Sequence, residues 1–292
     1  MNSEQRTAWL ESRRNGIGSS DVAKILGLSQ WGNALNVYLA KVAPSRAEEM
    51  TPSQEWGHRL EPVVSAAIMD RHGWTLAKVP TLRHAEHEFL IASPDRENES
   101  GELVEIKTTS RAEGWGEPET AEIPEQYWLQ VQHQMEVADR DLCWVFVLIG
   151  NCDFRRYRVA RDDQYLPTVI DPLREFWSMV EASTPPEPDW SHPSTLAAVQ
   201  RLYVPKPWTV TDLNDHAKTM ADEYERLGAE AKEIADARDE YKARLIAALG
   251  EFEQGNLPDG RCVTRKQVTR SGYEVKPSTY LDFRIKKAKG AK

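Results

Sequence analysis

Asp95, Glu105 and Lys107 are of types that together perform hydrolysis, and they fall within one stretch, Ile91 to Thr108, IASPDRENESGELVEIKT. In LVEIK the two-residue period of a strand puts Val104 and Ile106 on one face and Glu105 and Lys107 on the other. Pro94 stays out of a central ladder, and residues 98–101 have the chemistry of a turn. The stretch therefore reads as two short strands joined by a polar turn, with Asp95 able to converge on Glu105. Two carboxylates and a backbone carbonyl make a hard oxygen site that suits Mg²⁺, an ion that keeps several waters. A lysine beside it orients or helps deprotonate a water and offsets charge building on a phosphate. The same E-x-K pattern also describes a plain solvated strand face with an ion pair, so the neighbouring elements must decide.

RRNG (13–16) is followed by IGSSDVAKILGL, in which Ser19, Ser20 or Asp21 can cap a helix after a glycine turn. Arginines before a helix N-terminus rich in hydroxyls form a candidate phosphate cradle, with an ordinary capped helix as the alternative. In EWGHRLEPVVSAAIMDRHG, Trp56, Leu60, Val63, Val64, Ala67 and Ile68 follow helical spacing, and His72-Gly73 ends the helix. Glu61 stands among them at an inward position, suited to a local ion pair or a metal. In IPEQYWLQVQHQMEVAD, Tyr127, Gln130, Gln134 and Val137 share a helix face too polar for core, as the wall of a polar cleft would be. LCWVFVLI (142–149) is a strand buried on both faces, and a Gly150-Asn151 turn returns the chain as FRRYRV. Further helices are expected at 4–12, 34–43 and 171–182, and strands at 75–92. The order predicts an α/β or α+β domain with a mixed central sheet, ending near residue 182.

TPPEPDWSHPS (184–194) reads as a proline-rich linker. Beyond it, Leu213, Ala217, Met220, Tyr224, Leu227, Ala231, Ile234, Tyr241, Leu245 and Ala248 alternate steps of four and three, interrupted at Arg238. That is a coiled-coil seam or one face of a helical hairpin. Gly250 stops it, and a hairpin turning at residues 256–260 precedes the basic tail RIKKAKGAK.

Net charge is -9, which argues against a nucleic-acid partner unless cations are gathered locally. They are gathered unevenly: residues 251–292 hold ten Lys/Arg against five Asp/Glu. Three cysteines without metal spacing fit a reducing cytoplasm, and no apolar run is long enough for a membrane span or a signal peptide.

Taken together, GHRLE (57–61), SPD (93–95), EIK (105–107), QYWLQVQHQM (126–135) and RRNGIGSSD (13–21) resemble the PD-(D/E)xK nuclease superfamily. More closely, they resemble its YqaJ-type viral recombinases, related to lambda exonuclease, over roughly residues 8–182. The resemblance implies a restriction-endonuclease-like core in residues 1–183; composition and spacing add a linker over 184–208, a long helix or coiled coil over 209–250, and a β-hairpin with a basic tail over 251–292. It implies an Mg²⁺-dependent exonuclease, with Mn²⁺ able to substitute, that degrades double-stranded DNA from its ends, 5′ to 3′. Asp95, Glu105 and the Ile106 carbonyl would be metal ligands, Glu61 would complete the acidic cluster, and Lys107 would be the catalytic lysine. Arg13 or Arg14, Ser20, Ser93, Tyr127 and Gln130 would contact DNA. The seam over 213–248 makes a homo-oligomer an expected partner, and the resemblance adds a single-strand annealing protein. An endonuclease or nickase of the same fold, and a non-catalytic DNA-binding assembly protein, are the alternatives. One departure from the family pattern stands out, since Arg96 occupies the place after the motif aspartate where glycine is usual.

Overall fold

The strand LCWVFVLI is apolar on both faces because a helix covers each of them. The computed structural model describes residues 14–42, 51–269, 283 and 285, in two compact units, residues 1–204 and 205–292. The first unit runs β1 (Ile17–Gly18), α1 (Ser19–Ile25), α2 (Ala34–Val42), α3 (Pro52–His72), β2 (Leu76–Ala77), β3 (Leu82–Arg83) and β4 (Leu90–Ala92). It continues through β5 (Arg96–Asn98), β6 (Leu103–Thr109), α4 (Glu125–Ala138), β7 (Leu142–Ile149), β8 (Asp153–Ala160), α5 (Tyr165–Glu181) and α6 (Thr195–Leu202). The five-stranded sheet has the order β2-β5-β6-β7-β8, in which β6 and β7 are parallel and the other pairs antiparallel. A parallel pair needs a long crossover, and α4 supplies it. A small second sheet, β1-β4-β3, lies beside α1 and α4.

Strand alternation sorts the core. Leu103, Cys143, Val145, Val147 and Ile149 pack with Val131 and Met135 of α4. Val104, Ile106 and Phe146 pack with Val64 and Ile68 of α3 on the opposite face. The third cluster joins α1, α2, α5 and α6 to β4. The α+β architecture with a mixed sheet is thus the one expected.

Several details differ from expectation. Residues 96–98 form a strand of their own between the two expected ones, and residues 98–102 make the turn, with Gly101 at φ 78. Gly18, not a serine, caps α1, because the carboxylate of Asp21 reaches back to the Gly18 N–H at 3.1 Å. In α3 only part of the apolar spacing is buried; Trp56 and Val63 are each about 60% exposed. Residues 184–204, expected as linker, pack on the first unit. The Asn33 amide donates to Thr195 Oγ1 at 2.6 Å, and His192 Nε2 lies 3.0 Å from the Ser29 carbonyl. Prolines in this stretch fix the backbone path, which favours packing once side chains find partners. Arg13, the expected helix over 4–12, Arg284 and residues 286–292 lie outside the described residues.

The second unit holds α7 (Asp215–Leu249) and a two-stranded hairpin of β9 (Gln254–Asn256) and β10 (Cys262–Thr264). Among the described residues no helix is long and apolar enough to cross a membrane.

The position of α4 over the sheet depends on a buried histidine. His133 Nε2 lies 3.3 Å from the Ile91 carbonyl, which only accepts, so Nε2 carries the proton and Nδ1, at 3.2 Å, accepts from the Tyr165 hydroxyl. Burial lowers the His133 pKa to about 4, against 6.5 in an unfolded chain. Between those values the unfolded chain takes the proton and the folded chain does not. Stability therefore falls as pH drops through 6.5 and the loss is complete below about 4, amounting to about 3 kcal/mol. Urea unfolding across this range should show His133→Gln less stable at neutral pH yet flatter in its pH dependence than the wild type. Parallel profiles would contradict the assignment.

Candidate active site

Glu105 is 2% exposed, a severe place for a carboxylate. Its register partner on β7 is Val145, so it faces α4, and α4 answers with two amides one turn apart. Gln130 Nε2 donates to Glu105 Oε1 at 2.6 Å, and Gln134 Nε2 donates to Oε2 at 2.8 Å. The Lys107 ammonium also donates to Glu105 Oε1. It lies 5.0 Å from the ring centroid of Tyr127, a cation over an aromatic face that fixes the lysine from its other side. Burial acts to lower the Lys107 pKa, but the charges of Glu105 and Asp95 outweigh it and raise it, so the ammonium stays protonated.

Asp95 comes just before β5. Its Oδ2 accepts the Ile106 N–H at 2.8 Å, which ties the two strands at the point where the carboxylates meet. Burial and then the neighbouring Glu105 carboxylate push its pKa well up, more than Lys107 and the Ile106 N–H pull it down. Two carboxylates thus share one ammonium. Such a deficit of positive charge, lined by oxygen, fits a hard divalent cation. Such an ion would find its carboxylate oxygens on Asp95 and Glu105, with water filling most of its shell. Among the described residues, no three His, Cys, Asp or Glu side chains gather closely enough to hold a metal by themselves.

Glu61 is engaged elsewhere. The register pairs Arg96 with Val104, which puts the arginine on the α3 face. There its guanidinium, 9% exposed, donates to Glu61 Oε1 at 2.7 Å and also to the Asp95 carbonyl. The departure from glycine at position 96 thus supplies a cation that binds the helical glutamate of the motif. Composition and spacing gave no sign of this pairing; the unusual residue was the only signal.

The remaining expected residues lie in three places. Tyr127 and Gln130 are at the cluster, and Gln130 turns its amide to Glu105. Ser93, two residues before Asp95, shares a hydrogen bond of 2.9 Å with Thr81. Arg14 donates to the Lys41 carbonyl at 3.1 Å, while Ser20 is exposed on α1, which packs along α4. Asp21 of the same motif forms a buried ion pair with Lys41 at 2.7 Å.

Residues 8–141 match the profile of the YqaJ-like viral recombinase domain. That stretch of the chain is thus similar to the domain. The protein YqaJ of Bacillus subtilis (strain 168) is 36% identical over 183 residues, covering 61% of this chain and 57% of that one. The chain thus spans a little over half the length of this relative. Crystal structures of an alkaline exonuclease, LHK-Exo, from Laribacter hongkongensis superpose with TM-scores of 0.51 alone and 0.50 in complex with dAMP. Each is 20% identical and covers 61% of this chain and 93% of that one. At that identity the likeness shows a shared fold.

Arg96 offers a test of this electrostatic arrangement. Removing its charge leaves Glu61 beside Asp95 uncompensated. Arg96→Met should therefore lose about 2–3 kcal/mol of stability in the presence of a chelator, a discount on the usual cost of breaking a buried pair because Glu61 is partly exposed. Millimolar Mg²⁺ should then raise the melting temperature of the variant more than that of the wild type. Equal shifts would show that Arg96 does not neutralise this cluster.

Proposed function

We propose that this chain is a metal-dependent deoxyribonuclease that degrades double-stranded DNA from its ends in phage-type recombination, running 5′ to 3′. The observation that carries the reading is the pair of carboxylates, Asp95 and Glu105, held under one protonated lysine in a YqaJ-like recombinase domain. An ion-pair network built only for stability would balance its charges. This one keeps an excess of negative charge and uses two glutamine amides to hold the buried carboxylate in place. The fold shared with a protein described as an alkaline exonuclease, one crystal structure of which contains dAMP, supports the same reading.

In this proposal Asp95, Glu105 and the Ile106 carbonyl hold Mg²⁺, with Mn²⁺ as a substitute. The ion supplies Lewis-acid polarisation of the scissile phosphate and lowers the pKa of a water. Lys107 keeps its proton, sits against Tyr127, and places positive charge where negative charge develops on the phosphate. Gln130 and Gln134 keep both oxygens of Glu105 oriented, as outer partners of metal ligands do. Glu61 acts through Arg96, which positions the Asp95 backbone. Arg13 or Arg14, Ser20 and Ser93 are the groups proposed to hold the terminal phosphate and backbone of the DNA.

The test uses end-labelled linear duplex and closed circular DNA with Mg²⁺. Wild-type protein should degrade the linear substrate and leave the circle intact. Lys107→Ala and Asp95→Ala should each lower the rate by at least about a hundredfold while keeping the wild-type circular dichroism, because they act on charge in the transition state. Cutting of circles would mean an endonuclease, and a folded Lys107→Ala variant with near-normal rate would remove the lysine from the chemistry.

A further inference from the structure

We propose that α7 pairs with the same helix of a second copy of the chain, antiparallel and in a single register. This inference does not rest on the nuclease reading. The 35-residue helix begins at an Asn214 cap, whose Oδ1 accepts the Ala217 N–H at 2.9 Å. Its seam lies open: Met220, Tyr224, Leu227, Ile234, Tyr241 and Leu245 are 46–70% exposed, even with the Phe283 ring 5.4 Å from Tyr224. An apolar stripe of this length at a seven-residue repeat, broken only at Arg238, is the pattern of a coiled coil.

The sequence of the helix selects both partner and direction. With two copies antiparallel and centred on one another, Tyr224 meets the partner's Tyr241, Met220 meets the partner's Leu245, and Ala231 meets the partner's Ile234. The same register sets Leu227 against the partner's Arg238, whose aliphatic stem can cover it while the guanidinium reaches water. In that same register Glu223 flanks the partner's Arg244, and by symmetry Arg244 flanks the partner's Glu223. On the other flank Ala221, Gly228 and Ala235 leave room for close approach. The midpoint that gives these matches falls between residues 232 and 233, the middle of Asp215–Leu249. A parallel pair would set Arg238 against the partner's Arg238 inside the seam and offer Glu223 no opposite charge. Within one chain Arg226 pairs with Glu223 and Glu230, and Arg244 pairs with Glu240. Exposed pairs at such spacing are worth only a few tenths of a kcal/mol, so they do not keep Glu223 and Arg244 from a partner.

The experiment uses the full chain. Glu223→Arg and Arg244→Glu, each alone, put like charges together twice per pair and should raise the dissociation constant for self-association about tenfold, read by light scattering over a concentration series. Mixing the two variants in equal amounts restores both opposite-charge pairs and should restore association. For direction, the exposed Cys152 and Cys262 are replaced by serine. On that background Met220→Cys and Leu245→Cys should form a disulfide when mixed and neither should cross-link to itself. Self-cross-linking of Leu245→Cys would mean a parallel pair. No cross-link, with a mass indifferent to the charge variants, would mean that the seam is covered by the chain's own C-terminal segment or by another protein. Either result overturns the proposal.

Discussion

Two carboxylates facing one ammonium beneath a helix form the constraint on which the first unit depends. Asp95 and Glu105 are brought together at the edge of β6, and the Asp95 carboxyl is driven toward its protonated form by burial and by its neighbour. A fold keeps such a cluster only if most polar groups around it are committed. Both oxygens of Glu105 accept hydrogen bonds, Lys107 is pinned between a carboxylate and an aromatic face, and Asp95 is anchored to the β6 backbone. Two features are left unsettled by these contacts: the buried Gln134 Oε1, which has no hydrogen-bond partner among the described residues, and the repulsion between the two carboxylates, which a divalent cation would relieve.

The layers follow from that need. Because β6 and β7 are parallel, α4 must cross over the sheet, and the crossover brings Gln130 and Gln134 directly above Glu105. The opposite face is left to α3, which packs on Val104 and Ile106. Alternation along β5 then sends Arg96 toward α3 and leaves Asp95 with the carboxylate of Glu105. One strand period thus divides the motif acids, Glu105 under α4 and Glu61 held by Arg96 on α3. The buried His133, bound to Ile91 and Tyr165, holds α4 to the small sheet that leads into Asp95.

Much of this was legible in the residues. The period-two pattern of LVEIK correctly divided Val104 and Ile106 from Glu105 and Lys107, and the Tyr127–Gln130–Gln134 stripe marked a polar wall. The apolar run of β7 announced a strand covered on both faces. What spacing could not supply was partnership between distant segments. Arg96 finds Glu61 35 residues away only because β5 exists as a strand, and three residues between turn signals carried too little pattern to show it. Residues 184–204 misled for a related reason. Proline-rich composition resembles a linker, whereas Asn33, Ser29 and Asn36, far earlier in the chain, supply the partners that fold it down.

Catalysis of the proposed kind requires Asp95 and Glu105 to be arranged for a cation. Isothermal titration of Mn²⁺ into the protein without DNA measures this most directly, with Asp95→Asn as the isosteric control. The arrangement described here predicts saturable binding in the wild type that the substitution abolishes, with both proteins equally folded. Indistinguishable binding curves would contradict it.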